Sequence, residues 1–151
     1  MVNKPVRPVG SMHIHLAVSD MKTSIDFYTT VLGFFYDHGI SEIAWLTRCN
    51  LMLTLGQGEP PKDPQHYFGW AVESMAELEE LYEHFYRKRQ RLSAPPSTEE
   101  ARYYFFIYDP DGYPIVISFE QMEHPWGRGV CTCGAVEPEA GDDQNSSVSK
   151  P

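Results

Sequence analysis

The chain reads as an α+β protein built from two copies of one strand–helix module. Three observations carry this. A strand, a polar cap and a helix follow one another from His13 and again from Tyr67, an offset of 54 residues. In each copy an apolar pattern of period two gives way to one of period near 3.6. Between the copies runs Gly56-Gln57-Gly58-Glu59-Pro60-Pro61-Lys62-Asp63-Pro64, whose composition is that of a loop. A repeat of this length marks two packed supersecondary units, with a cleft related to their symmetry.

Residues 1–11 hold two prolines without periodicity and read as an arm. From Met12 to Val18, alternation puts Ile14, Leu16 and Val18 on one face and His13, His15 and Ala17 on the other. Asp20 is an N-cap; Ile25, Tyr28, Val31 and Leu32 follow at helical spacing, and Gly33 is the stop. Phe34 to Asp37, Ile43 to Thr47 and Leu51 to Leu55 read as three short strands. Module one thus spans about 12–56, in the order βαβββ, and 57–65 is the linker.

Module two, about 66–120, repeats the order. Tyr67 to Val72 is a strand. Ser74-Met75-Ala76-Glu77 is a capping box, and Leu78, Leu81, Tyr82 and Phe85 form the apolar stripe of a helix. Arg87, Lys88, Arg89 and Arg91 suit its C-terminal dipole. Leu92 to Ser93 begins a short strand stopped by Pro95-Pro96. Tyr103 to Tyr108, the turn Asp109-Pro110-Asp111-Gly112 and Ile115 to Glu120 make a hairpin. Residues 121–151 form a tail. From about Pro138 it is acidic and Ser-rich, a composition expected to be disordered.

Hydrophobic residues make up 42% of the chain and aromatics 13%, enough for a core. The net charge of −9 disfavours nucleic acid and anionic membrane as partners and is compatible with a cationic ligand. No 18-residue apolar run spans a membrane, and Met1 to Ser11 has no signal-peptide core. Cys49, Cys131 and Cys133 are too few and too clustered for a disulfide framework, which fits a cytoplasmic location. Cys49 carries no assigned role, and Cys131-Thr132-Cys133 is a weak signal for a soft metal or a redox pair.

His13-x-x-x-x-Val18-x-Asp20, followed by Ser24-Ile25-x-Phe27-Tyr28-x-x-Val31-Leu32-Gly33-Phe34, resembles the opening of the vicinal oxygen chelate superfamily. That group holds glyoxalase I, extradiol dioxygenases, fosfomycin-resistance enzymes and bleomycin-resistance proteins. Phe106-x-Tyr108-Asp109-Pro110-Asp111-Gly112 is similar to its closing signature. The resemblance covers roughly residues 12–120. It implies the glyoxalase/bleomycin-resistance fold, in which two βαβββ modules form a curled eight-strand sheet around a cleft, often completed across a homodimer.

In metal-dependent members the ligands lie on the first and last strands of each module. His13 matches the first. Its counterpart in module two is Tyr67, with His66 one residue early and on the opposite face. Val116 stands where the family's metal enzymes have a glutamate, and Thr54 falls near the last position. Neither valine nor threonine suits a divalent ion here. His13 and His15 share a face and could reach one metal ion. Glu120, the remaining donor, lies about 13 Å farther along its strand than Val116.

The expected cleft is therefore lined by His13, His15, Met52, Thr54, Tyr67, Gly69, Val116 and Ser118. Trp45 is the foremost ligand-facing aromatic, and Tyr36, Tyr103 and Phe105 are within reach. Two readings follow. One is a cofactor-free binding protein that sequesters a small aromatic or cationic molecule. The other is a metal-dependent lyase, dioxygenase or thiol transferase that holds one divalent ion with His13 and His15.

Overall fold

The computed structural model describes residues 12–65, 67–99 and 102–120. The expected arm, His66 and the expected tail lie outside the described residues. Strands β1 (Met12–Val18), β2 (Phe35–Ile40), β3 (Ile43–Arg48) and β4 (Leu51–Gln57) form one four-stranded sheet in the order β1-β4-β3-β2. Strands β5 (Phe68–Ala71), β6 (Ser97–Glu99), β7 (Arg102–Tyr108) and β8 (Pro114–Glu120) form a second, in the order β5-β8-β7-β6. The pairs β1·β4 and β5·β8 are parallel, and the other pairs are antiparallel. Each module is thus βαβββ, and the two sheets are separate.

Local chemistry sets the helices. The Asp20 side chain accepts from the Thr23 amide at 2.7 Å and starts α1 (Met21–Asp26). The helix then widens into a π turn over Phe27–Val31. The Thr29 hydroxyl donates to the Ile25 carbonyl at 2.8 Å, and the Thr30 hydroxyl to Asp26. Hydroxyls that bond back to carbonyls loosen the helix, and the π turn lies there. Gly33 ends it at φ 68°, a left-handed value that a side chain would strain. In α2 (Met75–Arg87), Ser74 Oγ accepts from the Glu77 amide at 3.1 Å. The Glu77 carboxylate accepts from the Glu73 amide at 3.0 Å.

Alternation decides which face is buried. Leu16, Val18, Leu46, Leu53 and Leu55 face the helical side of the first sheet, and Phe105, Ile107, Ile115 and Ile117 that of the second; all are buried. Phe105 lies under α2, with its ring 5.2 Å from Tyr82 and 6.4 Å from Phe85. The expectation that Phe105 reaches the cleft is therefore corrected. Tyr103 shares its face and stacks on Phe119 at 6.4 Å.

Other boundaries shift. β2 runs on to Ile40 where the sequence suggested an end at Asp37. The expected strand at Leu92–Ser93 is reduced to one bridge, Leu92 to Ile107, and the strand of that position is β6. Pro95-Pro96 separates the two, because proline cannot donate to a ladder.

The modules meet along their helical sides. The Tyr28 hydroxyl donates to Asp109 Oδ2 at 2.9 Å, and the Tyr113 hydroxyl to the Ala17 carbonyl at 3.0 Å. The Ser19 amide donates to Asp111 Oδ2 at 3.1 Å, and its hydroxyl to Asp111 Oδ1. Phe34 packs on Trp70 at 6.4 Å. Burying the helical sides against each other leaves the opposite, outer face of each sheet uncovered by the other described elements.

Candidate functional site

The outer face of the first sheet is a grid fixed by register. Thr54 of β4 lies opposite His15 on β1 and opposite Trp45 on β3. Met52 lies opposite His13 on one side and Thr47 on the other. His13, His15, Trp45 and Thr54 are therefore brought together on one face, as the sequence suggested. The His15 ring lies across Gly56. A Cβ there would come within 2.9 Å of His15 Nε2, so only glycine leaves that space free.

A fourth residue extends the row. β2 pairs Tyr36 with Leu46 but His38 with Trp45, leaving Asp37 as the extra residue of a β-bulge. Without the bulge, His38 would point to the helical side. With it, the imidazole stacks on Trp45 at 4.5 Å and an interplanar angle of 17°. His38 Nδ1 is 3.0 Å from Asp37 Oδ2, and this contact fixes the ring. The row His15–Thr54–Trp45–His38 crosses three strand spacings, about 14 Å. One face of Trp45 is thus taken by a neighbour. Phe35 and Ile40, 65% and 61% exposed, flank the row at the edge of the sheet. The sequence carries no signal for His38, since a bulge is a property of pairing.

The other expected site residues lie on the second sheet. Val116 lies between Gly69 and Phe106, and Ser118 between Ala71 and Tyr104. Ser118 is buried; Val116 is half-buried. Tyr67, 60% exposed, packs on Phe106 with ring centroids 5.5 Å apart. The outward aromatics of β7 are therefore Tyr104, Phe106 and Tyr108, the opposite phase to Phe105. Tyr67, Phe106 and Tyr108 line a cavity of about 560 Å³ beside the linker. Lys62 and Arg91 also line it, and the Arg91 guanidinium lies 4.7 Å from the Tyr108 ring centroid. Sequence reasoning singled out neither cation for the cleft.

Among the described residues the donors do not converge as a metal ion would require. His13 and His15 share a face, but their cross-strand neighbours are Met52 and Thr54. Glu120 lies on the other sheet and is paired with Arg102 at 2.7 Å. Among the described residues no group of three or more His, Cys, Asp or Glu side chains converges. Cys49, to which the sequence gave no role, is disulfide-bonded in the β3–β4 turn. That finding removes the cysteine argument for a reducing compartment. No helix among the described residues is long and apolar enough to cross a membrane.

This fold and these faces match a known class. Residues 10–117 match the family model of the Glyoxalase/Bleomycin resistance protein/Dioxygenase superfamily, and the chain belongs to that superfamily. A glyoxalase/bleomycin resistance protein/dioxygenase from Nocardioides is similar in structure, with a TM-score of 0.68 and 18% identity over 84% of this chain and 93% of that one. A lactoylglutathione lyase from Agrobacterium tumefaciens gives a TM-score of 0.63 and 17% identity over 74% and 94%. A possible glyoxalase from Bacillus cereus gives 0.61 and 21% over 73% and 98%. At these identities the likeness is one of fold. No curated protein matches the chain.

Proposed function

We propose that this protein is a binding member of its superfamily that sequesters a small flat aromatic molecule, with cations favoured. The cleft forms in a homodimer. β1 and β5 are edge strands, each paired on one side only among the described strands. An open edge seeks a partner strand. Setting β1 of one copy beside β5 of another joins two four-stranded sheets into one curled sheet of eight. The two outer faces then line a common cleft.

The observation that carries this reading is the row His15–Thr54–Trp45–His38. It offers one large aromatic, two imidazoles and a hydroxyl on a face that no other described element covers. Flat ligands are held by aromatic walls with a few placed polar groups. The net charge of −9 draws cations to the protein.

A second reading, a metal-dependent lyase, dioxygenase or thiol transferase, rests on His13 and His15 sharing one face of β1. Metal analysis of the purified protein, before and after chelation, separates the two. Substoichiometric Zn, Ni, Mn and Fe support sequestration. One tight equivalent lost in His13→Ala overturns it. Light scattering at micromolar concentration tests the dimer, and a monomer would leave the cleft without its second wall.

A further inference from the structure

Where the helical sides meet, a second cavity of about 220 Å³ lies between the modules. Its walls are mixed in polarity, and Val31, Leu81, Phe85 and Ile117 supply apolar side chains to them. Two groups of basic chemistry, Arg48 and His84, converge on it. It is on the opposite side of both sheets from the outer faces, so it is separate from the cleft.

Arg48 is the unusual group. Its guanidinium is half-buried, and burial lowers its pKa. It donates to the Leu32 carbonyl and lies 4.7 Å from the Trp70 ring centroid. The ion pairs formed among the described residues are Lys22–Asp26, His38–Asp37 and Arg102–Glu120, and none includes it. Arginine presents five N–H donors, and capping one helix carbonyl uses one of them. A cation withdrawn from water without a counter-charge is costly, and an anion at the same place offsets that cost.

We propose that the seam cavity is a binding site for a small carboxylate with an apolar body, held by Arg48. The carboxylate meets the free edge of the guanidinium in the paired geometry that arginine favours. The apolar body lies against Val31, Leu81 and Ile117. The volume is below that of drug-sized sites, roughly 300–1,000 Å³, so the ligand is about the size of one ring. A ligand here touches both modules at once, and its binding stabilises their arrangement. This inference is independent of the proposed use of the cleft.

The test uses the full chain with benzoate as probe and benzamide as its neutral counterpart, followed by thermal shift and tryptophan fluorescence. Benzoate is expected to raise the melting temperature and to bind at least ten-fold tighter than benzamide. Arg48→Gln should reduce that ratio to near one. Leu81→Trp, which fills the cavity and keeps Arg48, should abolish binding. Quenching should persist in Trp45→Phe and diminish in Trp70→Phe. Equal binding of benzoate and benzamide overturns the proposal, as does benzoate binding that survives Leu81→Trp. Quenching that disappears with Trp45→Phe also overturns it, because the ligand would then lie on the outer face. If Arg48→Gln does not fold, the benzamide ratio and Leu81→Trp decide.

Discussion

The Tyr28 hydroxyl and the Asp109 carboxylate, 81 positions apart in the chain, form a buried hydrogen bond of 2.9 Å. The bond ties the π turn of module one to the β7–β8 turn of module two. Asp109 Oδ1 also accepts from the amides of Asp111 and Tyr113, at 3.0 and 2.8 Å. The carboxylate therefore shapes its own turn and clasps the other module. Tyr28→Phe removes one buried donor and leaves the amide bonds. We expect a loss of about 1–2 kcal/mol in urea unfolding, because a buried acceptor loses a partner. No measurable loss would mean that the clasp lies mainly in Tyr113 and Ser19.

The same carboxylate predicts a pH dependence. Burial raises the Asp109 pKa above the usual carboxylate value, against the lowering effect of its bonds from Tyr113, Tyr28 and Asp111. A folded pKa above the unfolded one gives stability that is fully present below the unfolded value. That stability is lost as pH rises through the folded value. The stability difference between wild type and Asp109→Asn should therefore shift in favour of wild type as pH falls from 7 toward the unfolded pKa. Urea unfolding of both proteins at several pH values measures this. A difference that moves the other way would mean the hydrogen bonds outweigh burial.

Gly56 tests the outer face without touching the core. A Cβ at this position meets the His15 ring at 2.9 Å, and the ring is the part able to move. Gly56→Ala should displace His15 and weaken ligand binding several-fold, with a change in stability below about 1 kcal/mol. Unchanged binding would place His15 outside the ligand's reach.

The helix ends were legible because their signals are local. Asp20, Gly33 and the Ser74–Glu77 box act within a few residues, and each does in the structure what its chemistry suggests. Ser74→Ala should accordingly cost about 1 kcal/mol by thermal or urea unfolding. The phase of β1 and β4 was legible because apolar and polar residues alternate there. In Tyr103 to Tyr108 every residue is large and apolar or aromatic, so alternation carries no phase. The phase is set by Tyr82 and Phe85 of α2, which cover Phe105. His38 was hidden for a related reason. Its direction depends on a bulge between β2 and β3, and pairing is not written in either strand alone.

The last prediction separates the two tryptophans that the structure describes. Trp45 lies on the outer face, with one side covered by His38 and the remainder part-exposed. Trp70 lies in the seam under Arg48. A planar cation bound in the cleft gains about 0.5–2 kcal/mol from contact with an aromatic ring, depending on desolvation. Each 1.4 kcal/mol is about ten-fold in affinity. Trp45→Ala should therefore weaken binding of such a probe by roughly 2- to 30-fold. Trp70→Phe should change it by less than about two-fold, since the seam is remote from the outer face. Added salt should weaken only the long-range attraction to the net negative charge, because a contact pair lies inside the Debye length. Fluorescence titrations of both variants at low and high salt, against neutral and anionic aromatic controls, supply the comparison. If anionic thiol conjugates bind better than planar cations, charge attraction does not guide the ligand. The cations Lys62 and Arg91 beside Tyr67 would then be the better guide to what the cleft takes.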